Sequence, residues 1–455
     1  MKTNPEIYRE YDIRGVYKVD FDESFAKQLA KAHVSFIKAQ TGKTSLRLTV
    51  GHDARLSSPS LAQAIVEGYM ESGAHVYHLG LVTTPISYFS TFHMDVDGAI
   101  MVTGSHNPPE YNGFKISVGK GTIFGEKIKK LQTIIDSEDF VSGKGSWEKH
   151  DILDDYVARY KEEFAGLKSI PFVLDCGNGA AGCVARKLYE AVGLKPKILF
   201  EEPDGLFPNH HPDPTVEKNL VALVKEVKAT KSLVGIGFDG DADRIGLVDD
   251  TGRMIYGDEL MVLVSRDILK SKPGQPIIGD VKCSDRLYAD IKKLGGRPIM
   301  WKTGHSLIKD KIKEEKSPFG GEMSGHIFFA DRNYGYDDAL YAGIRVVEIL
   351  SRTGKTIAEL LEGLPTAYNT PELRIDTTEQ KKRSIVDFLI KKYTPKSERY
   401  RADFTDGVRV SFKDGWALAR ASNTQPVLVL RFESSTEAGL KEIQGEFESA
   451  IKDLL

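Results

Sequence analysis

The chain has 455 residues, which exceeds what one hydrophobic core usually supports, so about three or four domains are expected. Its composition, with 41% apolar and 28% charged residues, is typical of a soluble globular protein, and no apolar run approaches the ~18 residues of a membrane span. The net charge of -3 provides no general attraction for nucleic acid. The first residues are charged where a signal peptide needs an apolar segment, so we expect a cytoplasmic protein that contacts neither membrane nor nucleic acid.

Cysteine usage points to no metal or disulfide framework. The cysteines are not paired at the spacing of a zinc site, and their odd number argues against disulfides. We expect buried thiols at Cys176, Cys183 and Cys283.

In the first two thirds of the chain, apolar strand-like runs stop at polar loops that contain glycine or aspartate. Amphipathic stretches such as 60–73 and 258–270, with apolar residues at helical spacing, lie between these runs. This alternation predicts α/β units whose parallel sheets are covered by helices. The runs are residues 46–57, 171–182, 233–244 and 276–285.

Three polar or proline-containing segments, at 142–152, 249–259 and 361–373, divide the chain into four parts. The last part combines strand-like runs with a lysine-rich helix in α+β style. We therefore predict an α/β protein of four domains around a central cleft. The first three are expected to be similar α/β units with mixed, mostly parallel sheets and helices, and the fourth a smaller α+β domain. The expected bounds are 1–150, 151–251, 252–366 and 367–455.

An aspartate trio forms the strongest single motif. Asp239, Asp241 and Asp243 alternate in FDGDADR between two apolar strands, a spacing that can point three oxygens inward. An EF-hand is excluded, because Arg244 stands where its sixth position needs glycine and Asp250 where its twelfth needs glutamate. A solvated acidic loop is the other alternative. A hard cation such as Mg²⁺ is favoured, because three carboxylates leave about three of six octahedral positions open for phosphate oxygen or water.

A second motif, TGSHNPPEYNGFK at 103–115, places Ser105 in a loop rich in glycine, asparagine and proline. A serine-hydrolase nucleophile is not favoured, because the G-x-S-x-G elbow is absent and the adjacent His106 is not expected to turn back as its base. Alone, such a loop is typically just a turn. Together with the aspartate loop, it offers a serine that accepts a phosphoryl group whose charge a cation would offset.

Two further loops carry hydrogen-bonding groups suited to a sugar phosphate. On extended backbone, Glu322 and Ser324 of GEMSGH would face one side and bind neighbouring sugar hydroxyls, although an exposed loop is the alternative. RASNTQP, at 420–426, gathers donors for phosphate between two apolar strands, although it also has the composition of an ordinary turn. The phosphate-binding candidates are Arg420, Ser422, Asn423 and Thr424.

These four motifs resemble those of the α-D-phosphohexomutase superfamily, whose pattern is a phosphoserine loop TGSHNP, a metal loop DGDADR, a sugar loop GE-x-SG and a C-terminal phosphate loop. All four occur here in that order, at 103–108, 239–244, 321–326 and 420–426. The GEMSGH form and YDIRG near the N-terminus resemble the bacterial phosphomannomutase/phosphoglucomutase group.

The resemblance implies a role for each motif residue. Ser105 would be the phosphoserine, and a phosphate oxygen on it would join the aspartate trio on Mg²⁺. Glu322 and Ser324 would bind sugar O3 and O4, so that glucose and mannose, which differ only at O2, are both accepted. The other catalytic candidates are His326, Lys115, Arg14 and Arg244, and the other substrate-binding candidates are Tyr11, Lys282, His305 and again His326.

The activity implied is the reversible conversion of hexose 1-phosphate to hexose 6-phosphate through a hexose 1,6-bisphosphate, which also serves as activator. A metal-dependent phosphatase is a second class, but it would need neither a sugar loop nor a distal phosphate loop. A non-catalytic sugar-phosphate sensor is a third, but it should lack Ser105 or a metal carboxylate. A monomer is expected, and the sequence leaves a larger assembly open.

Overall fold

The computed structural model describes residues 4–422 and 426–454. Within these residues four β-sheets follow one another along the chain, the first three mixed and the fourth antiparallel throughout. The predicted fold class is therefore confirmed. None of the described helices is long and apolar enough to cross a membrane.

The first unit is a mixed sheet covered by helices. Its elements are β1 (Ile13–Val16), α1 (Glu23–Thr41), β2 (Arg47–His52), α2 (Ser58–Glu71), β3 (His75–Leu81), α3 (Thr84–His93), β4 (Gly98–Val102), β5 (Tyr111–Val118), β6 (Gly121–Thr122), α4 (Glu126–Ser137) and β7 (Ser146–Lys149). The strand order is β1-β5-β4-β2-β3-β7, with β6 beside β5. Strands β4, β2, β3 and β7 run parallel, so the loops after β2 and β4 lie at the same edge of the sheet.

The second unit repeats this plan with fewer strands. Its elements are α5 (Leu153–Glu163), β8 (Phe172–Asp175), α6 (Ala185–Ala191), β9 (Lys197–Leu199), α7 (Val221–Thr230), β10 (Val234–Phe238), β11 (Ile245–Asp249) and β12 (Met254–Ile255). Strands β8, β9 and β10 are parallel, and β11 returns antiparallel to β10. Because β12 pairs with β11, the segment expected to be a linker at 249–259 extends this sheet past residue 251.

The third unit shares a hydrophobic core with the second. Its elements are α8 (Gly257–Ser271), β13 (Pro276–Asp280), α9 (Asp285–Lys293), β14 (Arg297–Trp301), α10 (His305–Glu315), β15 (Phe319–Gly321), β16 (Ile327–Phe329), α11 (Ala339–Thr353) and α12 (Ile357–Leu360). Helix α11 packs against β16 and also against β10 and β11 of the second sheet. The two units are thereby joined through buried apolar side chains.

The fourth unit is α+β, as predicted. Its elements are β17 (Tyr368–Asn369), β18 (Leu373–Asp376), α13 (Glu379–Tyr393), β19 (Arg401–Asp403), β20 (Val408–Ser411), β21 (Gly415–Ala421), β22 (Val427–Ser434) and α14 (Glu437–Ile451). Both long helices cover one face of the sheet and enclose a separate core.

The other face of the fourth sheet docks on the third unit around Trp416. The indole is fully buried, and the Arg409 guanidinium lies 3.7 Å from its ring centroid. Arg409 and Arg431 donate hydrogen bonds to backbone carbonyls of residues 281–283, at the end of β13. This contact places β21 beside the third unit.

The cysteines carry free thiols, as expected, but their burial differs. Cys176 and Cys283 are buried, whereas Cys183 is half-buried.

Candidate active site

The serine loop and the aspartate loop meet between the first and second sheets. Ser105 follows β4, and the aspartate trio lies in the turn that joins β10 to β11. The Ser105 hydroxyl donates a hydrogen bond to Asp239 Oδ2 at 2.8 Å, across 134 residues of sequence. The two motifs therefore form one site.

Both loops reach this contact through unusual backbone. Ser105 has φ +50° and Ala242 φ +59°, in the left-handed region that residues with a Cβ rarely adopt. Gly240 permits the close approach, because a Cβ at this position would lie 2.4 Å from the Ser105 carbonyl oxygen. Strained backbone of this kind is concentrated at functional sites.

His106 corrects an expectation from the sequence. Its Nδ1 lies 3.2 Å from Ser105 Oγ, although adjacent residues were not expected to approach in this way. The left-handed φ of Ser105 explains the contact, because it turns the serine side chain toward the following residue. Burial, together with nearby Arg244, lowers the pKa of His106 well below its usual value, so the ring is neutral.

The aspartate trio is fully buried, and the pKa values of Asp239 and Asp241 are shifted in opposite directions. Burial and the neighbouring carboxylates raise the pKa of Asp239 well above its usual value. Burial acts in the same direction on Asp241, but the Lys115 ammonium overcomes it and lowers the pKa of that carboxyl. Lys115 Nζ lies 2.8 Å from Asp241 Oδ2 and also contacts Asp243, while the Thr84 hydroxyl donates to Asp241 at 2.5 Å.

The trio offers a set of oxygens that fits a hard cation. Asp239 Oδ1 accepts hydrogen bonds from the backbone amides of Asp243 and Arg244, and its Oδ2 faces Ser105. Among the described residues, Asp241 Oδ1 and Asp243 Oδ1 are buried without any hydrogen-bond donor. Because unpaired buried carboxylate oxygens are costly, this arrangement is suited to a metal ion held by oxygen ligands.

His326 lies beside the trio and is held from both sides. Arg244 Nε donates to His326 Nε2 at 3.0 Å, so the ring proton is on Nδ1, which lies 3.0 Å from Asp337 Oδ2. The His305 ring stacks on His326 with centroids 5.5 Å apart. Asp337 in turn accepts a hydrogen bond from Lys309 at 3.1 Å.

The GEMSGH loop has a different conformation from the one expected. Residues 322–325 form a tight turn, closed by a hydrogen bond from the Gly325 amide to the Glu322 carbonyl at 3.0 Å, rather than extended backbone. Gly325, at φ +86°, explains the turn. The Glu322 carboxylate is buried and accepts a 2.6 Å hydrogen bond from the Gly304 amide, whereas Ser324 is half-buried. Burial raises the pKa of Glu322.

The segment at Thr303 connects the sugar loop to the first and fourth units. Tyr11 donates its hydroxyl to the Thr303 carbonyl at 2.5 Å, and the Thr303 amide donates to Asp406 at 3.0 Å. Asp406 also accepts from Arg420 Nε at 3.0 Å. Tyr11 and Arg420, which were predicted on two separate motifs, are thus linked through Thr303 and Asp406.

The remaining distal candidates lie in the same region. Lys282 Nζ donates to Glu372 at 3.2 Å, and Lys382 Nζ donates to the Ser422 carbonyl at 2.6 Å. The Lys282 ammonium lowers the pKa of Glu372 to about 2, against the opposing effect of burial. Asn423 and Thr424 lie outside the described residues.

Arg14 lies beside the serine loop rather than on the trio. Its guanidinium donates to Asn107 Oδ1 at 3.1 Å and to Asp12 at 2.5 Å. The side chain therefore contacts the serine loop through Asn107.

Several residues of this site were not predicted from the sequence. Thr84, Lys309 and Asp337 contact predicted residues only through the tertiary fold. Asp337 offered a weak signal, since it stands just before the apolar helix α11 in a polar loop.

Four family models match consecutive parts of the chain. They are described as phosphoglucomutase/phosphomannomutase, alpha/beta/alpha domains I, II and III and the C-terminal domain, at residues 5–142, 154–252, 256–368 and 372–450.

Relatives of known name are similar over nearly the whole length. A phosphomannomutase/phosphoglucomutase of Pseudomonas syringae pv. tomato is 44% identical over 448 residues, covering 98% of this chain and 95% of the relative. A phosphoglucomutase of Neisseria meningitidis is 41% identical over 451 residues, covering 98% and 97%. The crystal structure of a phosphoglucomutase/phosphomannomutase family protein from Burkholderia thailandensis, 41% identical, matches with a TM-score of 0.92 over 99% of this chain and 98% of that one.

The fold and the site thus define one class of protein. Its members combine three α/β units and an antiparallel α+β unit, and they hold a serine against buried aspartates. The chain belongs to the phosphoglucomutase/phosphomannomutase family. The resemblance to the α-D-phosphohexomutase superfamily is confirmed.

Proposed function

We propose that this chain is a phosphohexomutase that interconverts the 1- and 6-phosphates of glucose and mannose. The observation that carries the proposal is the 2.8 Å hydrogen bond between Ser105 Oγ and Asp239, which places a phosphoryl-accepting hydroxyl at a buried group of metal-ligating oxygens. Relatives named for both hexoses, at 41–44% identity, support the substrate class.

Two phosphoryl transfers occur in each catalytic cycle, and they move different phosphoryl groups. Phospho-Ser105 donates its phosphoryl group to the free hydroxyl of a hexose monophosphate, which forms a hexose 1,6-bisphosphate. The bisphosphate turns end for end, and its other phosphoryl group is transferred to Ser105. The product is the isomeric monophosphate, so the reaction is an intramolecular phosphotransfer overall, and added hexose 1,6-bisphosphate acts as activator by phosphorylating Ser105.

Asp239, Asp241, Asp243 and a phosphoserine oxygen would hold Mg²⁺, the cation that best fits an all-oxygen set of this size. When bound, Mg²⁺ offsets the negative charge of the transferring phosphoryl group. Arg14 and Arg244 contribute further fixed positive charge on the substrate side of Ser105.

His326 is our preferred acceptor for the hydroxyl proton. Its Nε2 carries a lone pair, which the hydrogen bond from Arg244 occupies until a substrate hydroxyl replaces it. Lys115 is a weaker candidate, because the carboxylates of Asp241 and Asp243 overcome burial and raise the pKa of its ammonium well above the usual value. Lys115 therefore acts as a fixed positive charge.

The sugar and its distal phosphate bind between the third and fourth units. Glu322 and Ser324 bind hydroxyls of the hexose, with Tyr11 and His305 beside them. Arg420, Lys282 and the 422–424 loop bind the phosphate that is not being transferred. The predicted domain bounds, the cytoplasmic location and the monomeric state stay predictions.

A coupled assay tests the proposal. Purified chain, Mg²⁺ and catalytic glucose 1,6-bisphosphate are incubated with glucose 1-phosphate or mannose 1-phosphate, and both 6-phosphates are expected. Release of inorganic phosphate without isomer would indicate a phosphatase instead. A Ser105→Ala variant, which keeps the rest of the site, is expected to lose the isomerisation.

A further inference from the structure

Arg55 is a buried arginine in the loop that follows β2, one of the polar loops marked in the sequence. Its side chain is 1% exposed, although arginine is almost never fully buried without partners. It does not contact substrate, because the guanidinium is buried and donates to backbone carbonyls of the serine loop. The groups that contact it account for its burial.

The two terminal nitrogens of Arg55 bind backbone carbonyls of the serine loop. Nη2 donates to the carbonyls of Ser105, at 2.8 Å, and Asn107, at 2.6 Å. Nη1 donates to the carbonyls of Pro108 and Tyr111. The planar fork therefore spans the loop from the serine to the beginning of β5.

Asp53 completes the arrangement and neutralises the arginine. Arg55 Nε lies 3.2 Å from Asp53 Oδ2, and the same oxygen accepts a hydrogen bond from the Gly104 amide at 3.2 Å. Because the buried pair is neutral as a whole, it adds little charge at the phosphoryl position. The pair therefore acts on Ser105 by fixing the position of the loop and not by changing its charge.

A segment of the second unit covers Arg55 from outside. A Cβ on Gly205 would lie 2.6 Å from Arg55 Cα, and the Phe207 ring lies 5.2 Å from the guanidinium. On the loop side, a Cβ on Gly104 would lie 2.5 Å from the guanidinium carbon. The arginine is thus closely packed between the serine loop and the neighbouring unit.

We propose that Arg55 is a positioning residue that holds Ser105 in its left-handed conformation and so directs Oγ, and the phosphoryl group on it, toward the aspartate trio. Without these four hydrogen bonds the serine loop relaxes toward ordinary backbone, and Oγ turns away from Asp239. This inference rests on the proposed function for its kinetic consequence, but its structural consequence is independent of any activity.

The test compares Arg55→Lys and Arg55→Met with Arg345→Lys. Arg345 is a suitable control, because it is also buried, at 3% exposed, and is paired with Asp331, which is not part of the site. Loss of positioning is expected to lower kcat by about 100-fold in both Arg55 variants. The rate at which glucose 1,6-bisphosphate phosphorylates Ser105 should fall by about the same factor. KM for glucose 1-phosphate should change little. Arg345→Lys is expected to retain kcat.

Hydrogen exchange separates positioning from general loss of stability. Amides of residues 103–112 are expected to exchange faster in the Arg55 variants, while exchange elsewhere matches Arg345→Lys. In a third variant, Arg55→Ala, guanidinium chloride at millimolar concentration is expected to restore kcat, and sodium chloride of equal ionic strength is not. Unchanged exchange of 103–112, or a kcat within threefold of the wild type, would overturn the inference. If the wild type itself showed no mutase activity, the proposed function would fail, and the exchange measurement would still decide the role of Arg55.

Discussion

The α-carbon of Gly240 lies against the carbonyl oxygen of Ser105, so closely that a methyl group on it would come within 2.4 Å of that oxygen. The aspartate trio and the serine can share one site only because this position has no side chain. Next to this contact, Ser105 Oγ lies 2.8 Å from Asp239 Oδ2.

Gly240→Ala is therefore expected to separate the two loops and lower kcat by about 100-fold, because a misplacement of about 1 Å at a reacting group has an effect of that size. Gly445→Ala, in an open position on helix α14, is the matched control and is expected to retain full activity. Steady-state kinetics of both variants measure the difference. Normal kcat in Gly240→Ala would mean that the serine loop moves without consequence.

Lys115→Met is expected to strengthen Mg²⁺ binding by about 10-fold, because the ammonium and the cation are attracted to the same carboxylates. Calorimetric titration of each metal-free protein measures the affinity, and chelation with EDTA is expected to abolish mutase activity in the wild type. Asp243→Asn, which removes a ligand, is the opposing control and should bind Mg²⁺ more weakly than the wild type. Weaker binding in Lys115→Met would indicate that the lysine organises the trio instead.

Glu322→Gln is expected to reduce kcat/KM by about 10- to 100-fold, the effect of losing a charged hydrogen bond. The reduction should be equal for glucose 1-phosphate and mannose 1-phosphate, because the proposed contacts are to O3 and O4, which the two sugars share. Parallel assays of both substrates give the ratio, with the exposed Glu314→Gln as control. A changed ratio would place Glu322 near O2.

Stability is expected to fall with acid because of His33. This ring is fully buried between Tyr69 and the Ser117 carbonyl, and burial lowers its pKa to about 3. The unfolded state therefore binds a proton that the folded state does not, between about pH 6.5 and pH 3, so stability decreases as pH falls through this range. The loss at pH 5 is about 2 kcal/mol.

His33→Gln should weaken this pH dependence. The measurement is the difference in thermal midpoint between pH 7 and pH 5, which is expected to be smaller in the variant. His93→Gln, at an exposed histidine, should keep the wild-type difference.

The sequence was sufficient to predict that Ser105 and the aspartate trio act at one site, because residue type and alternate spacing indicate the chemistry of both loops. It was also sufficient for the α/β and α+β units, since strands and amphipathic helices alternate visibly. Neither inference required knowing the path of the backbone.

Other features depend on that path and could not be inferred. The approach of His106 to Ser105 follows from one left-handed φ, and the turn at Glu322 from Gly325. The role of Arg55 could not be predicted, because its partners are backbone carbonyls, which leave no pattern of side chains in the sequence. Asp337 and His326 meet through the tertiary fold alone.

The docking of the fourth unit has a consequence for how the sequence can diverge. Arg409 and Arg431 recognise main-chain carbonyls at 281–283, and every residue type supplies such a carbonyl. These hydrogen bonds depend on the two arginines and not on the side chains of the segment, which are constrained for other reasons: Val281 packs against Trp416, and Lys282 is a proposed phosphate ligand. A chimeric chain that takes its last unit from a relative with the two arginines and Trp416 is therefore expected to keep the hydrogen bonds between the third and fourth units.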